Sequence, residues 1–132
     1  MAYTLSESSL TELETCDPSL VRVVMEVAPI FNIRVIQGHR GRDLQNQLFE
    51  KGLSKVRWPN SKHNVKPSLA ADIVPYPIDW NDLKRFYYLG GLMAAVGVRK
   101  RTPIRWGGDW NQNGIFTDQT FHDLCHFELF EP

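Results

Sequence analysis

The stretch His122-Asp-Leu-Cys-His-Phe-Glu-Leu129 places three chemically active side chains in a short segment near the C-terminus. Asp123 stands three residues before His126, and Glu128 stands two residues after it. Alternate residues of a strand share a face, so a strand from Cys125 to residue 129 would set His126 and Glu128 side by side. Asp123 reaches the same face only if the chain bends just before Cys125. An imidazole with a nearby carboxylate is half of a hydrolytic metal site, and the other half is expected upstream.

Two upstream segments supply the remaining candidates. His63 lies in an irregular loop, and Asp72 interrupts an apolar run that predicts a strand over residues 69–74. With His126, these residues provide two neutral imidazoles and one carboxylate, which leaves one zinc position open for water. Taken singly, a carboxylate such as Asp72 is more often a satisfied core or surface group, and any one histidine is more often structural.

Two acids compete for the role of general base. A metal-bound water has a pKa lowered toward ~7, and a nearby carboxylate can take its proton. Asp123 fits this role because it is one turn or bend away from His126. Glu128 is the reserve candidate, although a contact that orients a metal ligand is the favoured role for it.

The composition limits the class of protein. The chain has 132 residues, 15 basic and 15 acidic side chains and 42% hydrophobic residues, which is typical of one globular domain. The balanced charge argues against nucleic-acid binding, and no apolar run is long enough to cross a membrane. The N-terminus lacks signal-peptide features, so we expect synthesis and residence in a cytoplasm.

The two cysteines, Cys16 and Cys125, form no Cys-x-x-Cys pair. We expect reduced thiols. Cys125 is next to a candidate ligand and could be a ligand itself, but a buried, inert thiol is favoured, and in a regular strand its side chain would point away from that of His126.

Hydrophobic periodicity and capping signals predict few, short strands between helices. The expected elements are helices near 6–16, 18–28, 44–51 and 80–96 and strands at Ile33–Ile36, Leu69–Val74, Ile104–Trp106 and Cys125–Leu129. Asp17, Asp43 and Asp79 are the predicted helix N-caps, and Gly52 and Gly97 the predicted stops. Short strands with long loops favour an α+β fold with a small, mainly antiparallel sheet in a single domain of residues 1–132.

Six sequence blocks, in order along most of the chain, resemble the signature blocks of the VanY-type zinc peptidases. That family includes D-alanyl-D-alanine carboxypeptidases and phage L-alanyl-D-glutamate endolysins. The blocks are Gly38-x-Arg40, Gln45, Ser61-x-His63, Ala70-x-Asp72, Trp106-Gly-Gly-Asp-Trp110 and Asp123-x-x-His126-Phe-Glu-Leu129. Two features depart from the family pattern. The segment from His63 to Asp72 is two residues longer, with Ser68 in place of a glycine, and Cys125 replaces a proline or small residue.

The resemblance implies a hedgehog/D-Ala-D-Ala peptidase-like fold and a role for each matching residue. His63, Asp72 and His126 would bind one zinc ion, and Asp123 would be the catalytic base. Arg40 would bind a substrate carbonyl or carboxylate, and Ser61 would line the same pocket. Without the family blocks, a surface salt bridge would be the favoured interpretation of Arg40.

The first functional hypothesis is a phage endolysin that hydrolyses the L-alanyl-D-glutamate bond of peptidoglycan stem peptides. It would be a monomer without a wall-binding domain, held in the host cytoplasm until it is released to the wall. The alternatives are a D-alanyl-D-alanine carboxypeptidase and a non-catalytic zinc-bearing binding module. The charges do not separate the two enzymes, because Arg40 is the main expected cation and Lys62 is expected to point to solvent.

A second cation site is suggested by Asp109, Asn111 and Asn113, followed by Gly114. Oxygen side chains at alternate positions before a glycine match the first half of a calcium loop. The twelfth position, where a bidentate Glu belongs, is Thr120. The alternative is that Asn113-Gly114 only forms a turn.

Overall fold

The computed structural model describes residues 2–130 of the chain. These residues form one four-stranded antiparallel sheet with helices packed against it. The strands are β1 (Ile33–Gln37), β2 (Ala70–Pro75), β3 (Ile104–Gly107) and β4 (Asp123–Leu129), in the order β1-β2-β4-β3. The helices are α1 (Glu7–Leu13), α2 (Pro18–Val27), α3 (Arg42–Glu50) and α4 (Leu83–Arg99), with a 3₁₀ turn at Lys62–Asn64. The predicted α+β class with a small antiparallel sheet is confirmed.

The hydrophobic core lies between the sheet and helices α2 and α4. The apolar stripe predicted for α2 is fully buried, with 0% exposure at Leu20, Val23, Val24 and Val27. Leu89 and Met93 of α4 are equally buried, and the inner sheet face adds Ile73 and Phe127. Burial of each such side chain stabilises the fold by about 1.5–3 kcal/mol. This packing fixes β2 and β4, the two central strands.

Only one of the three predicted N-caps is confirmed. Asp17 accepts a hydrogen bond from Ser19 N at 2.9 Å and starts α2. Asp43 lies inside the first turn of α3, after Gly41, so its prediction was wrong. The prediction that Asp79 caps α4 was also wrong, because the N-cap residue of that helix is Asp82. Asp79 instead accepts a hydrogen bond from Asn81 N in the preceding turn. An Asp that accepts the N–H two residues on makes the same local bond in a turn and at a cap, so local sequence does not separate them.

The predicted helix stop at Gly97 was wrong, because α4 continues to Arg99. Gly97 is buried in the helix, where the following chain passes close by. A Cβ at this position would lie 2.8 Å from Thr102 O and 2.9 Å from Ile104 Cγ1. The glycine is therefore required by packing of β3 against α4. Gly52, by contrast, follows α3 with φ +75°, as its predicted role requires.

Both cysteines are free thiols. Cys16 is 4% exposed, and burial raises its pKa to about 11. Among residues 2–130, no helix has both the length and the apolar character needed to cross a bilayer.

The close contact between α4 and Trp106 gives a stability test. A Cβ on Gly90 would lie 2.7 Å from Trp106 Cε2, whereas a Cβ on the adjacent Gly91 meets nothing within 4 Å. We expect Gly90→Ala to lower the free energy of unfolding by about 1–3 kcal/mol through overpacking. Gly91→Ala is the matched control and should raise it by about 0.5–1 kcal/mol. Chemical denaturation measures both, and equal effects would contradict the proposed contact.

Candidate active site

The 3₁₀ turn, β2 and β4 bring His63, Asp72 and His126 together. Asp72 and His126 are direct partners across the β2–β4 pairing, and the 3₁₀ turn packs beside β2. One ligand atom from each of the three residues lies within 4.8 Å of the other two. His63 and His126 are 2% and 8% exposed. The three residues predicted as metal ligands therefore form one buried cluster.

Hydrogen bonds define the tautomer of each histidine. His63 Nδ1 lies 2.8 Å from the carbonyl oxygen of Gly38, which can only accept, so Nδ1 carries the proton. His126 Nε2 lies 2.8 Å from Glu128 Oε1 and donates to that carboxylate. The other ring nitrogens, His63 Nε2 and His126 Nδ1, lie 3.3 and 3.5 Å from the same atom, Asp72 Oδ1. In the neutral histidines, both lone pairs are thus directed at a carboxylate oxygen.

This arrangement fits a cation. Among residues 2–130, the buried atoms His63 Nε2 and Asp72 Oδ1 have no hydrogen-bond partner, which is costly for polar atoms. A metal ion among the three atoms would satisfy both orphaned acceptors. Two imidazole nitrogens with one carboxylate oxygen suit a borderline divalent metal. The described residues therefore fit a metal centre of the predicted kind.

A proton can take the place of the cation. Burial lowers the pKa of His126, but hydrogen bonds to Asp72 and Glu128 outweigh it and raise the pKa to about 9. Burial raises the pKa of Asp72, yet the adjoining imidazoles of His126 and His63, which donate to it when they are protonated, outweigh burial and hold the pKa below its ordinary value. Asp72 is therefore ionised at neutral pH.

Glu128 contacts a candidate ligand, as the sequence favoured. Its Oε1 atom accepts from His126, while Oε2 accepts from Arg105 Nε at 3.1 Å and Nη2 at 2.8 Å. Burial raises its pKa, but the bonds with His126 and Arg105 outweigh this and lower it to about 2. The ionised carboxylate fixes the ring of His126. Sequence reasoning missed Arg105, whose only signal is its register opposite Glu128 across β3 and β4.

The solvent orientation predicted for Lys62 was wrong. Its ammonium group lies 3.1 Å from Glu128 Oε2 and donates to the carbonyl of Leu129. The loop bearing Lys62 folds over the end of β4, so the lysine reaches that strand instead of solvent.

Strand β4 bulges just before His126. Trp106 pairs with Phe127 and the next residue, Gly107, pairs with Asp123, so residues 124–126 have no regular partners on β3. The bend predicted there is present. The bulge breaks the side-chain alternation, and Asp123, Cys125 and His126 all line one cavity of about 710 Å³. The regular strand on which the expected orientation of Cys125 depended is therefore absent, and Cys125 lines the same cavity as His126. Cys125 is half-buried, so the expectation that it is buried was wrong.

The environments of Asp123 and Cys125 distinguish their chemistry. Burial, followed by the charge of Asp72, raises the pKa of Asp123. Burial also raises the pKa of Cys125, whose thiol lies 3.5 Å from Asp123 Oδ1 and donates to it. Cys125 therefore remains a neutral thiol, as expected for an inert cysteine, while Asp123 is a partly desolvated acid on the cavity wall.

Arg40 and Ser61 line the same cavity. Arg40 is 9% exposed and donates to Gln45 Oε1 at 3.0 Å and to Asp72 Oδ2 at 3.3 Å. Arg40 thus binds Asp72 Oδ2, whereas the histidines contact Oδ1. Within residues 2–130, the buried Nε atom of Arg40 has no hydrogen-bond partner. Ser61 caps the 3₁₀ turn, where its Oγ accepts from His63 N. The surface-salt-bridge interpretation of Arg40 does not apply to this buried side chain.

The predicted calcium residues form a self-bonded polar loop. Asp109 Oδ2 accepts from Gly114 N at 2.8 Å, and Asn113 Oδ1 accepts from Ile115 N at 2.8 Å. Asn111 Oδ1 lies 3.4 Å from Asn113 N. These are turn bonds, yet Asp109 Oδ1 is buried without a partner. Calcium binding stays a prediction.

Comparison with known proteins defines the class. The family model described as phage L-alanyl-D-glutamate peptidase matches residues 1–130. The L-alanyl-D-glutamate peptidase of Escherichia phage T5 is 28% identical over 138 residues, covering 98% of this chain and 99% of that protein. The crystal structure of Serratia marcescens L-Ala D-Glu endopeptidase ChiX superposes with a TM-score of 0.76 at 21% identity, covering 96% of this chain and 90% of that one.

The family model and the phage relative identify a peptidase that hydrolyses peptidoglycan. More narrowly, the chain belongs to the phage L-alanyl-D-glutamate peptidase family, since that model spans nearly all of its length.

The competition between proton and metal gives a pH prediction. Because the pKa of His126 is raised from 6.5 to about 9 without metal, a proton occupies Nδ1 below that pH. We expect divalent-metal affinity to fall about tenfold for each pH unit below about 9 and to level off above it. Metal titration of the metal-free protein between pH 6 and pH 10 measures this. His39 is not a member of the cluster, and His39→Ala should keep the same profile. A flat profile for the wild-type protein would contradict the assignment.

Proposed function

We propose that the protein is a zinc-dependent endopeptidase that hydrolyses the L-alanyl-D-glutamate bond of peptidoglycan stem peptides. The observation that carries the proposal is the convergence of two imidazole lone pairs on one buried carboxylate oxygen, beside a desolvated Asp123. Family membership supplies the bond class. The alternative of a non-catalytic module is disfavoured, because Asp123 lines the cavity together with the full donor set.

In this proposal His63 Nε2, Asp72 Oδ1 and His126 Nδ1 would hold the zinc ion. Zinc supplies Lewis acidity and lowers the pKa of a bound water toward ~7. Gly38 and Glu128 hold the two rings from behind, which fixes their donor atoms before any ion binds. Arg40 restrains the second oxygen of Asp72 and thereby directs Oδ1 at the histidines.

Asp123 would be the general base and then the general acid. Its raised pKa brings it closer to neutrality, where a carboxylate can both accept and return a proton. It would take the proton of the attacking water and deliver it to the departing amine of D-glutamate. Glu128 is less suited to this role, because both of its oxygens already accept hydrogen bonds.

Arg40 would bind the carbonyl oxygen or a carboxylate of the substrate. Its guanidinium is held by Gln45, which in turn donates to Ser54 and to the carbonyl of Val56. A cation preorganised in this way stabilises developing negative charge without reorganisation. Ser61 would line the same pocket.

The carboxypeptidase alternative needs a closed pocket around a terminal carboxylate. The cavity wall instead includes Leu53 and Trp80, which are 70% and 56% exposed, so the cavity opens to solvent. An open cleft admits chain on both sides of the scissile bond, which favours an endopeptidase.

The biological setting follows from the proposed reaction. The stem peptide is the partner, and a monomer suffices because all candidate groups come from one chain. We propose residence in the host cytoplasm until release to the wall, as for a phage endolysin. Calcium in the loop bearing Asp109 would be a second, separate cation.

Replacing the proposed base tests the mechanism. We expect Asp123→Asn to keep the fold and its zinc content but to lower kcat by about 10²–10⁴-fold, since general-base catalysis contributes that much. Turnover of stem peptide and elemental analysis measure the two effects. Asp43→Asn, an exposed acid outside the cavity, is the control and should leave turnover unchanged. Near-normal turnover of the Asp123 variant would remove it from the mechanism.

The bond itself is identified from the products. With zinc present, purified stem peptide should yield free L-alanine from its N-terminal end and keep its terminal D-alanine. Mass spectrometry distinguishes the fragments, and a strong chelator should abolish them until zinc is restored. Free D-alanine as the main product would instead assign a carboxypeptidase, and full activity in metal-free protein would end the zinc proposal.

A further inference from the structure

Two cations lie together on the cavity wall next to Glu128. Lys62 and Arg105 both line the cavity and both contact Glu128 Oε2. Their side chains are 33% and 28% exposed, whereas that of Glu128 is 7% exposed. Two positively charged side chains therefore face one negatively charged side chain, Glu128, at this wall.

The hydrogen-bonding capacity of the pair is only partly used. Arg105 has five N–H groups. Its side-chain hydrogen bonds within residues 2–130 run from Nε and Nη2 to Glu128. Lys62 has three N–H groups, and it reaches Glu128 and the carbonyl of Leu129. Since Glu128 is buried behind them, the remaining donors belong to the exposed, cavity-lining part of the pair.

Aromatic rings hold the guanidinium in place. The Arg105 Cζ atom lies 4.6 Å from the ring centre of Phe130 and 5.8 Å from that of Trp110. Trp110 also packs on His126, with ring centres 5.4 Å apart. A guanidinium fixed by a carboxylate and two rings loses little freedom when it binds a ligand, and its planar fork matches a carboxylate.

We infer that Lys62 and Arg105 form a second cationic subsite that binds a carboxylate of the stem peptide. The inference rests on the proposed function, which places an acidic peptide in this cavity. In the stem peptide, D-glutamate is linked onward through its γ-carboxyl, so its α-carboxylate is free beside the scissile bond. A diacid at the third position would offer another carboxylate. The subsite is separate from Arg40, which is bonded to Asp72 and Gln45.

The competing explanation is structural: Arg105 could serve only to hold Glu128 and, through it, His126. The two roles differ in substrate dependence. Loss of a structural contact weakens the handling of every substrate equally, whereas loss of a carboxylate contact affects only peptides that carry that carboxylate.

The experiment compares peptides that differ in one charge. The probes are L-Ala-γ-D-Glu-L-Lys, its D-isoglutamine analogue with the α-carboxylate amidated, and the D-Glu peptide with diaminopimelate in place of lysine. KM and kcat are measured with zinc-loaded enzyme. Calorimetry on the uncleaved peptides with Asp123→Asn protein gives affinity without turnover. The variants are Arg105→Gln, Arg105→Lys and Lys62→Gln, each checked for zinc content.

The matched control is Arg57→Gln. Arg57 also pairs with a carboxylate, Glu50, and lies 4.5 Å from the ring centre of Phe49, but it does not line the cavity. Arg57→Gln should leave the ratios of KM and of affinity between the peptides unchanged. Charge-assisted hydrogen bonds of this kind correspond to about tenfold or more in affinity.

We expect the wild-type protein to bind the peptide that carries the recognised carboxylate about tenfold more tightly than the peptide that lacks it. In the kinetic measurements, the difference should appear in KM more than in kcat. Arg105→Gln should abolish that preference, and Lys62→Gln should reduce it. Sensitivity to amidation assigns the D-glutamate carboxylate, and sensitivity to diaminopimelate assigns the third residue. No wild-type preference, or equal loss for all peptides in Arg105→Gln, overturns the inference. If the wild-type enzyme cleaves none of the peptides, the proposed function fails, while the calorimetric preference still decides the subsite.

Discussion

The close approach of three electron-rich atoms is the constraint around which the structure is arranged. His63 Nε2 and His126 Nδ1 both lie within 3.5 Å of Asp72 Oδ1, and in the neutral tautomers all three atoms are acceptors. Such an arrangement is unfavourable unless a proton or a metal ion lies between them. It persists because each ring is anchored from its opposite side, one by the Gly38 carbonyl and the other by Glu128. The fold thus holds three atoms that could bind a metal ion in fixed positions.

The anchors connect this site to the whole sheet. Gly38 follows β1, Asp72 lies on β2, His126 and Glu128 lie on β4, and Arg105 reaches Glu128 from β3. Every strand therefore contributes either a candidate ligand or a group that orients one. The strand order β1-β2-β4-β3 is what makes this possible, because it sets the strands that carry Asp72 and His126 side by side in the centre. The core of α2 and α4 on the apolar face then fixes the position of both strands.

The sequence predicted the parts whose signals are local or periodic. The apolar stripe of α2, the four strands and the spacing of His126 and Glu128 follow from side-chain periodicity, and all are present. The cluster of His63, Asp72 and His126 was predicted because these residue types match metal chemistry and follow the order of the family's sequence blocks. The helix boundaries at Asp79 and Gly97 were wrong, because a turn and a packing contact reproduce the local signals of a cap and a stop. Arg105 was missed because only strand register places it opposite Glu128.

The bulge in β4 has the largest consequence for chemistry, because it lets one strand carry the candidate ligand His126 and the acid Asp123 on the same cavity wall. Asp72 and Asp123 are both partly buried carboxylates in one cavity, yet their environments separate them. Burial raises the pKa of each, but the two imidazoles, which donate to Asp72 when they are protonated, reverse the effect at that residue. Asp123 has only a thiol as hydrogen-bond donor and also feels the charge of Asp72, so its pKa remains raised. Neighbouring acids with opposite pKa shifts are suited to different tasks. In the proposed mechanism, Asp72, with its low pKa, would supply the permanent anion for the metal ion, and Asp123, with its raised pKa, would exchange the proton.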